Sequence, residues 1–189
     1  MKTVIVYEAI FSSTQHVARV VAAALADAGA DVLVTEARTT CPADLRGCDL
    51  LLVGAPTHAL SVGAAAAAGT RRRGDAADVR QTLDTTAWLS LLDRAFPSRD
   101  LRPPVIVFDT RVDAVPRSSG SPATRAARAL RAQGFRLVSE PSSFYVRRVG
   151  DPPDLIEEDR VRAWAEGLTQ GLLLGLSLPA PRSKEEEDR

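Results

Sequence analysis

Apolar positions along this chain follow two alternating rhythms. TVIVYE, Thr3 to Glu8, is β-branched and almost continuously apolar, as a strand covered on both faces must be. From Thr14 to about Ala28 the period changes: Val17, Val20, Val21, Ala24 and Leu25 share one helical stripe, and Gly29 stops it. DVLVTE, Asp31 to Glu36, reads as a second strand. LLLVGAP, Leu50 to Pro56, reads as a third, the most hydrophobic and therefore central. A long connection from Thr57 to about Gln81 carries the Ala64 to Ala68 run and Arg71 to Arg73, and its length marks it as a candidate binding loop.

Beyond that connection the alternation resumes. Thr82 to Ala95 reads as helix with Leu83, Trp88, Leu91 and Leu92 inward, and PVIVFDT, Pro104 to Thr110, is the fourth strand. Ser121 caps the next helix, Pro122 sits in its first turn and Gly134 closes it. FRLVSE, Phe135 to Glu140, is expected as the fifth strand, either ending there or resuming at FYVRR, and Glu157 to about Leu174 as the last helix. Residues 1–178 therefore form one expected domain. From Pro179 to Arg189 nothing apolar beyond Ala180 anchors the chain, which predicts a disordered tail.

Five strands alternating with helices imply an α/β fold, a three-layer αβα sandwich around a five-stranded parallel sheet with right-handed crossovers. In such sheets ligands bind beyond the strand C-termini, where the direction of winding reverses. EAIFSST, APTHALS and DTRVDA would converge there.

Composition narrows the partners. With 189 residues and 45% hydrophobic content the chain supports one sizeable core, and 24 basic residues balance 24 acidic ones, so no nucleic-acid partner is expected. No apolar run approaches the roughly 20 residues of a membrane span, and the N-terminus has no signal-peptide pattern, so the expected location is cytoplasmic without membrane association. Cys41 and Cys48 match neither a redox pair nor a zinc set and are expected to be reduced thiols. No metal-ligand cluster and no nucleophile with a base is evident.

In its loops the chain resembles the flavodoxin-like family, in particular small single-domain bacterial members. Those typically carry Tyr-Glu-Ser-Met-Phe-Gly-Asn-Thr after the first strand, Gly-Gly-Pro-Thr-His-Ala and an aromatic after the third, and Asp-Thr-Arg at the end of the fourth. The matching residues are Tyr7, Glu8, Phe11 and Thr14, then Gly54, Pro56, Thr57, His58 and Ala59, then Asp109, Thr110 and Arg111, with Gly120, Ser121 and the GFRLV run in register. The resemblance spans roughly Thr3 to Leu174. It implies a sheet of order 2-1-3-4-5, flavin mononucleotide (FMN) as cofactor, and a redox partner protein or small electron donor or acceptor.

On that resemblance the FMN phosphate sits over the start of the first helix, where free amides and the helix dipole favour an anion, with Thr14, Ser12 and Ser13 adding hydroxyls. Helix capping is the competing role for those hydroxyls. Pro56, Thr57, His58 and Ala59 would border the ring, with His58 either beside it or bonded to loop backbone. Asp109 either contacts the ligand or caps amides of its loop. Thr110 belongs to the same third loop. Arg111 either faces the ring, where a planar cation stabilises the reduced flavin, or lies exposed. His16 is expected on the exposed side of the first helix, without a role.

The loops also depart from the family pattern. Ala9 replaces Ser and removes a hydroxyl worth about 1.5–3 kcal/mol against a charged phosphate. Ser12 replaces Gly, costing about 1–2 kcal/mol if that position needs positive φ. Ser13 replaces Asn, and Leu60 stands where an aromatic is usual. These changes leave an alternative, a flavodoxin-fold module that has lost FMN and acts through protein contacts. A receiver-type signalling domain is disfavoured because no acidic pair follows the first strand.

Overall fold

A computed structural model describes residues 1–8, 12–56, 85–112, 121–147, 153 and 155–173. Five strands, β1 (Lys2–Tyr7), β2 (Asp31–Glu36), β3 (Leu50–Pro56), β4 (Val105–Val112) and β5 (Ser142–Val146), form one sheet in the order β2-β1-β3-β4-β5. Every pairing is parallel. Among the described residues the α-helices are α1 (Ser12–Asp27), α2 (Pro42–Leu45), α3 (Thr85–Ala95), α4 (Pro122–Ala132) and α5 (Leu155–Leu173). This is the expected α/β sandwich in the expected strand order.

The continuous apolarity of the central strands is explained by a core on each face. Ile5, Tyr7, Leu50, Leu52, Ile106, Phe108 and Phe144 pack with Val17, Val21 and Leu25 of α1 and Val161, Trp164 and Leu168 of α5. Their sequence neighbours Val4, Val6, Leu51, Val53, Val105 and Val107 face the other way, onto Leu91, Leu92, Ala123, Ala127 and Leu130. Successive residues of a strand point to opposite faces, so a strand sandwiched between helices has no solvent-facing side, and a polar side chain on it must find a partner within the protein. Rings of Phe108, Phe144 and Trp164 meet edge-on at centroid distances of 5.2–6.4 Å.

Two boundaries differ from the sequence reading. Phe135 to Glu140 is not the fifth strand: Leu137 makes a single bridge to Val105, and the ladder begins only at Ser142. Pro141 lies between the two stretches, and without an N–H it cannot continue the pairing. The four-residue α2 was not expected, its pattern being too short for periodicity to register. Its start is held by the Asp44 carboxylate, which accepts the Cys41 N–H at 2.8 Å. Cys41 is exposed, whereas Cys48 is buried and its thiol is pushed up to about 11 by burial. Both thiols are free, as expected.

Polar contacts tie α5 to the sheet and to α1. Glu157, 1% exposed, accepts the Tyr145 N–H at 2.7 Å and pairs with Arg160, which in turn donates to the Ser143 carbonyl. Arg160 also lies over the Phe144 ring, 5.0 Å from its centroid. His16, expected to be idle, instead faces Glu158 of α5 at 3.4 Å, and Arg162 donates to the same carboxylate at 2.8 Å. Arg162 first and His16 second hold the Glu158 carboxyl below its usual range. Among the described residues no helix is long and apolar enough to cross a membrane.

Removing one partner of a buried ion pair strands the other charge. Glu157→Ala is expected to lower unfolding free energy by about 3 kcal/mol in urea titration. A loss comparable to that of Glu158→Ala, which removes only a half-exposed surface pair, would show that the buried pair adds nothing.

Candidate functional site

The winding of the chain reverses between β1 and β3, so the ends of β1, β3 and β4 together with the start of α1 mark the switch point, the place where sheets of this kind bind ligands. Helix α1 begins at Ser12, two residues earlier than its apolar stripe indicates, and this places Ser12, Ser13 and Thr14 inside the first turn. Ser12 is exposed, while Ser13 and Thr14 are 3% and 2% exposed. No acidic residue occupies that turn. An anion approaching the helix start therefore meets no opposing carboxylate from it.

Thr14, expected to be the principal phosphate ligand, is already engaged. Its Oγ1 lies 2.8 Å from Thr110 Oγ1 on β4, 96 positions along the chain, and Thr110 is 3% exposed. The Thr14 methyl packs against the strand between them. A Cβ added at Gly54 would stand 3.0 Å from Thr14 Cγ2 and 2.7 Å from Phe108 Cζ, so β3 needs a glycine at this point. The Gly54 carbonyl accepts the Glu8 N–H at 3.1 Å, and Tyr7 Oη accepts from Gln15 Nε2 at 2.8 Å. The end of β1 is thus tied at Glu8 to β3 and at Tyr7 to α1.

On the opposite face of β4 stands Asp109, completely buried. Its Oδ2 accepts the Ala123 N–H at 2.8 Å and the Ser121 hydroxyl at 2.5 Å, and Ser121 Oγ accepts the Thr124 N–H at 3.2 Å. Of the two roles open to Asp109, capping is the one this geometry contains: the carboxylate and Ser121 jointly satisfy the start of α4. Oδ1 is buried without a hydrogen-bond partner. Burial raises the carboxyl above its ordinary range, opposed by the Ala123 amide, the Ser121 and Ser143 hydroxyls and the charge of Arg111. Ser143 Oγ lies 3.5 Å from Ser121 Oγ, a member of this cluster that sequence reading missed because its strand was placed upstream.

Arg111 is neither in a loop nor exposed. It is a residue of β4, paired in register with Tyr145 and 5% exposed. Pro56 ends β3 opposite Thr110. Thr57, His58 and Ala59, like Ala9, Phe11, Leu60, the Ala64 to Ala68 run, Arg71 to Arg73, Gly120 and the tail from Pro179, lie outside the described residues. Of the ten candidate residues, the structure therefore brings Ser12, Ser13, Thr14, Pro56, Asp109, Thr110 and Arg111 to the C-terminal ends of three adjacent strands. Among the described residues no cluster of His, Cys, Asp and Glu could hold a metal ion.

No protein-family model matches the chain, and neither does any curated protein. Solved structures do. An oxidised flavodoxin 1 from Bacillus cereus superposes with a TM-score of 0.57 at 15% identity, over 87% of this chain and 95% of that one. The chain has the flavodoxin fold. Two-electron reduced Megasphaera elsdenii flavodoxin matches at TM-score 0.53 and 18% identity, over 87% and 98%. The rubredoxin:oxygen oxidoreductase of Desulfovibrio gigas matches at 0.58 and 18%, over 92% of this chain but only 36% of that larger protein. Sheets of the flavodoxin-like order obey the switch-point rule applied above.

The Asp109 carboxyl yields a pH dependence. The folded protein holds this proton more tightly than the unfolded chain, so its contribution weakens stability as pH rises from the ordinary carboxylate range through the raised folded value. Asp109→Asn leaves an acceptor for Ala123 and Ser121 and is expected to abolish that decline, read as urea unfolding free energy from about pH 4 to about pH 7. An equally steep decline in the variant would mean that Asp109 titrates alike in both states.

Proposed function

We infer that this protein is an FMN-binding redox protein, an electron carrier or a small flavin-dependent oxidoreductase. The observation that carries the reading is the start of α1, free of acidic side chains, held against the C-terminal ends of β3 and β4 at the switch point of a 2-1-3-4-5 sheet. The residues suit the cofactor. First-turn amides and the exposed Ser12 would hold its phosphate. Pro56, Thr57, His58 and Ala59 would border the ring from the end of β3 onward, and Arg111 from the end of β4. Bound there, the flavin would supply the electron chemistry, and the chain's part would be orientation, exclusion of water and charge. Arg111, buried near the end of β4, would favour added negative charge. The neighbours' oxidised and two-electron reduced forms support a carrier that works with a redox partner, and a soluble cytoplasmic setting fits that role.

One observation favours the second reading, a flavodoxin-fold interaction module without flavin. Thr14 and Ser13 are buried and Thr14 is bonded to Thr110, so part of the hydroxyl set suited to a phosphate serves the fold.

Calorimetric titration separates the two. The protein is expected to bind FMN at micromolar concentration or tighter, at least tenfold more tightly than riboflavin, which lacks the phosphate; a tenfold ratio corresponds to about 1.4 kcal/mol. No heat with either flavin, and no flavin absorbance in the purified protein, would leave the interaction module as the better account.

A further inference from the structure

We propose that Thr110 is a positioning residue for the phosphate subsite: by bonding Thr14 it fixes the start of α1 so that the first-turn amides, not the Thr14 hydroxyl, receive the phosphate. The inference rests on the flavin reading above and gives Thr14 and Thr110 a supporting part in it, without direct contact to the ligand.

Two contacts hold the Thr14 side chain in place. Its hydroxyl is 2.8 Å from Thr110 Oγ1, and its methyl occupies the space that the absent side chain of Gly54 leaves, in contact distance of where a Cβ would lie. Thr14 is 2% exposed and Thr110 3%. Turning the Thr14 hydroxyl out toward a ligand would leave a buried hydrogen bond unmade and drive the methyl from its seat, both unfavourable. Binding through the backbone N–H donors of a helix start requires no such turn of the Thr14 side chain.

What the pair does instead is fix distance. Helix α1 follows β1, whereas Thr110 belongs to β4, two strands away across β3. The contact therefore references the helix start to the strand that carries the third loop. An anion site built from amides depends on where those amides point, and a site of fixed dipoles is only as good as the rigidity of its support. Thr110 acts on the ligand through Thr14.

Four variants in the full-length protein test this: Thr14→Val, Thr110→Val, the double variant and Thr110→Ser. Each is titrated with FMN, riboflavin and inorganic phosphate, phosphate binding being followed by thermal shift, with thermal unfolding as a check on folding. The expected result is that Thr14→Val and Thr110→Val each weaken FMN and phosphate by about tenfold and leave riboflavin unchanged. The double variant should lose no more than either single one, the mark of residues acting as a unit. Thr110→Ser, which keeps the hydroxyl, should restore the parent affinity. Should either valine variant fail to fold, Thr14→Ser and Thr110→Ala complete the same comparison.

A larger loss in Thr14→Val than in Thr110→Val would make Thr14 a direct ligand and overturn the proposal. So would a Thr110→Val protein that keeps the parent's preference for FMN over riboflavin. If the parent binds the two flavins equally, the phosphate subsite fails while the flavin reading stands. If it binds neither flavin nor phosphate, both fall.

Discussion

The constraint on which this structure depends is that β1, β3 and β4 are covered on both faces. Such strands offer no exposed side where polar chemistry could sit, so it is confined to their ends. Thr110 and Asp109 are consecutive residues at one such end, and the alternation of the strand sends them to opposite faces. Thr110 goes to α1 and Asp109 to α4. Two helix starts are thereby tied to the same strand by adjacent side chains. Each tie is buried, and neither would last if its partner were lost, because a buried hydroxyl or carboxylate without its hydrogen bonds is strongly unfavourable.

The same economy gives the hydroxyls at the start of α1 more than one use. Hydroxyls at the start of a helix can cap, pack or hold an anion, and in Thr14 the packing role is directly visible. Backbone amides are a second kind of donor, since the first turn of a helix has N–H groups without intrahelical partners. Loss of hydroxyl ligands in the first loop and retention of a phosphate site are therefore compatible. Affinity would then rest on geometry rather than on side-chain chemistry, which suits loops that depart so far from the family pattern.

Most of the fold could be read from the sequence because burial on both faces writes it there as apolar runs. Strands β2 and β3 begin and end where their runs do. The exceptions have local causes. The FRLVSE run has strand composition but meets Pro141, and the sheet takes up the chain one residue later. Helix α2 is four residues long, shorter than any periodic signal. Sequence reading located the candidate site through three loops but could not assign the atoms. That Thr14 meets Thr110, or that Asp109 meets Ala123, depends on contacts 96 and 14 residues apart that no spacing rule contains. Arg111 was misplaced because an arginine after Asp-Thr reads as the beginning of a loop, whereas β4 continues through it to Val112.

The clasp formed by Glu157 and Arg160 has an effect beyond the stability of one molecule. Ser143 and Tyr145 turn their backbone groups away from β4, toward the outer rim of the sheet. There the carboxylate takes the amide and the guanidinium takes the carbonyl, as a sixth strand would. An open rim invites another chain to add itself, the usual start of domain swapping and of fibrous aggregation. Charged side chains already seated on those groups deny an incoming strand its hydrogen bonds at this border. Growth of the sheet beyond β5 would first require expelling a buried ion pair.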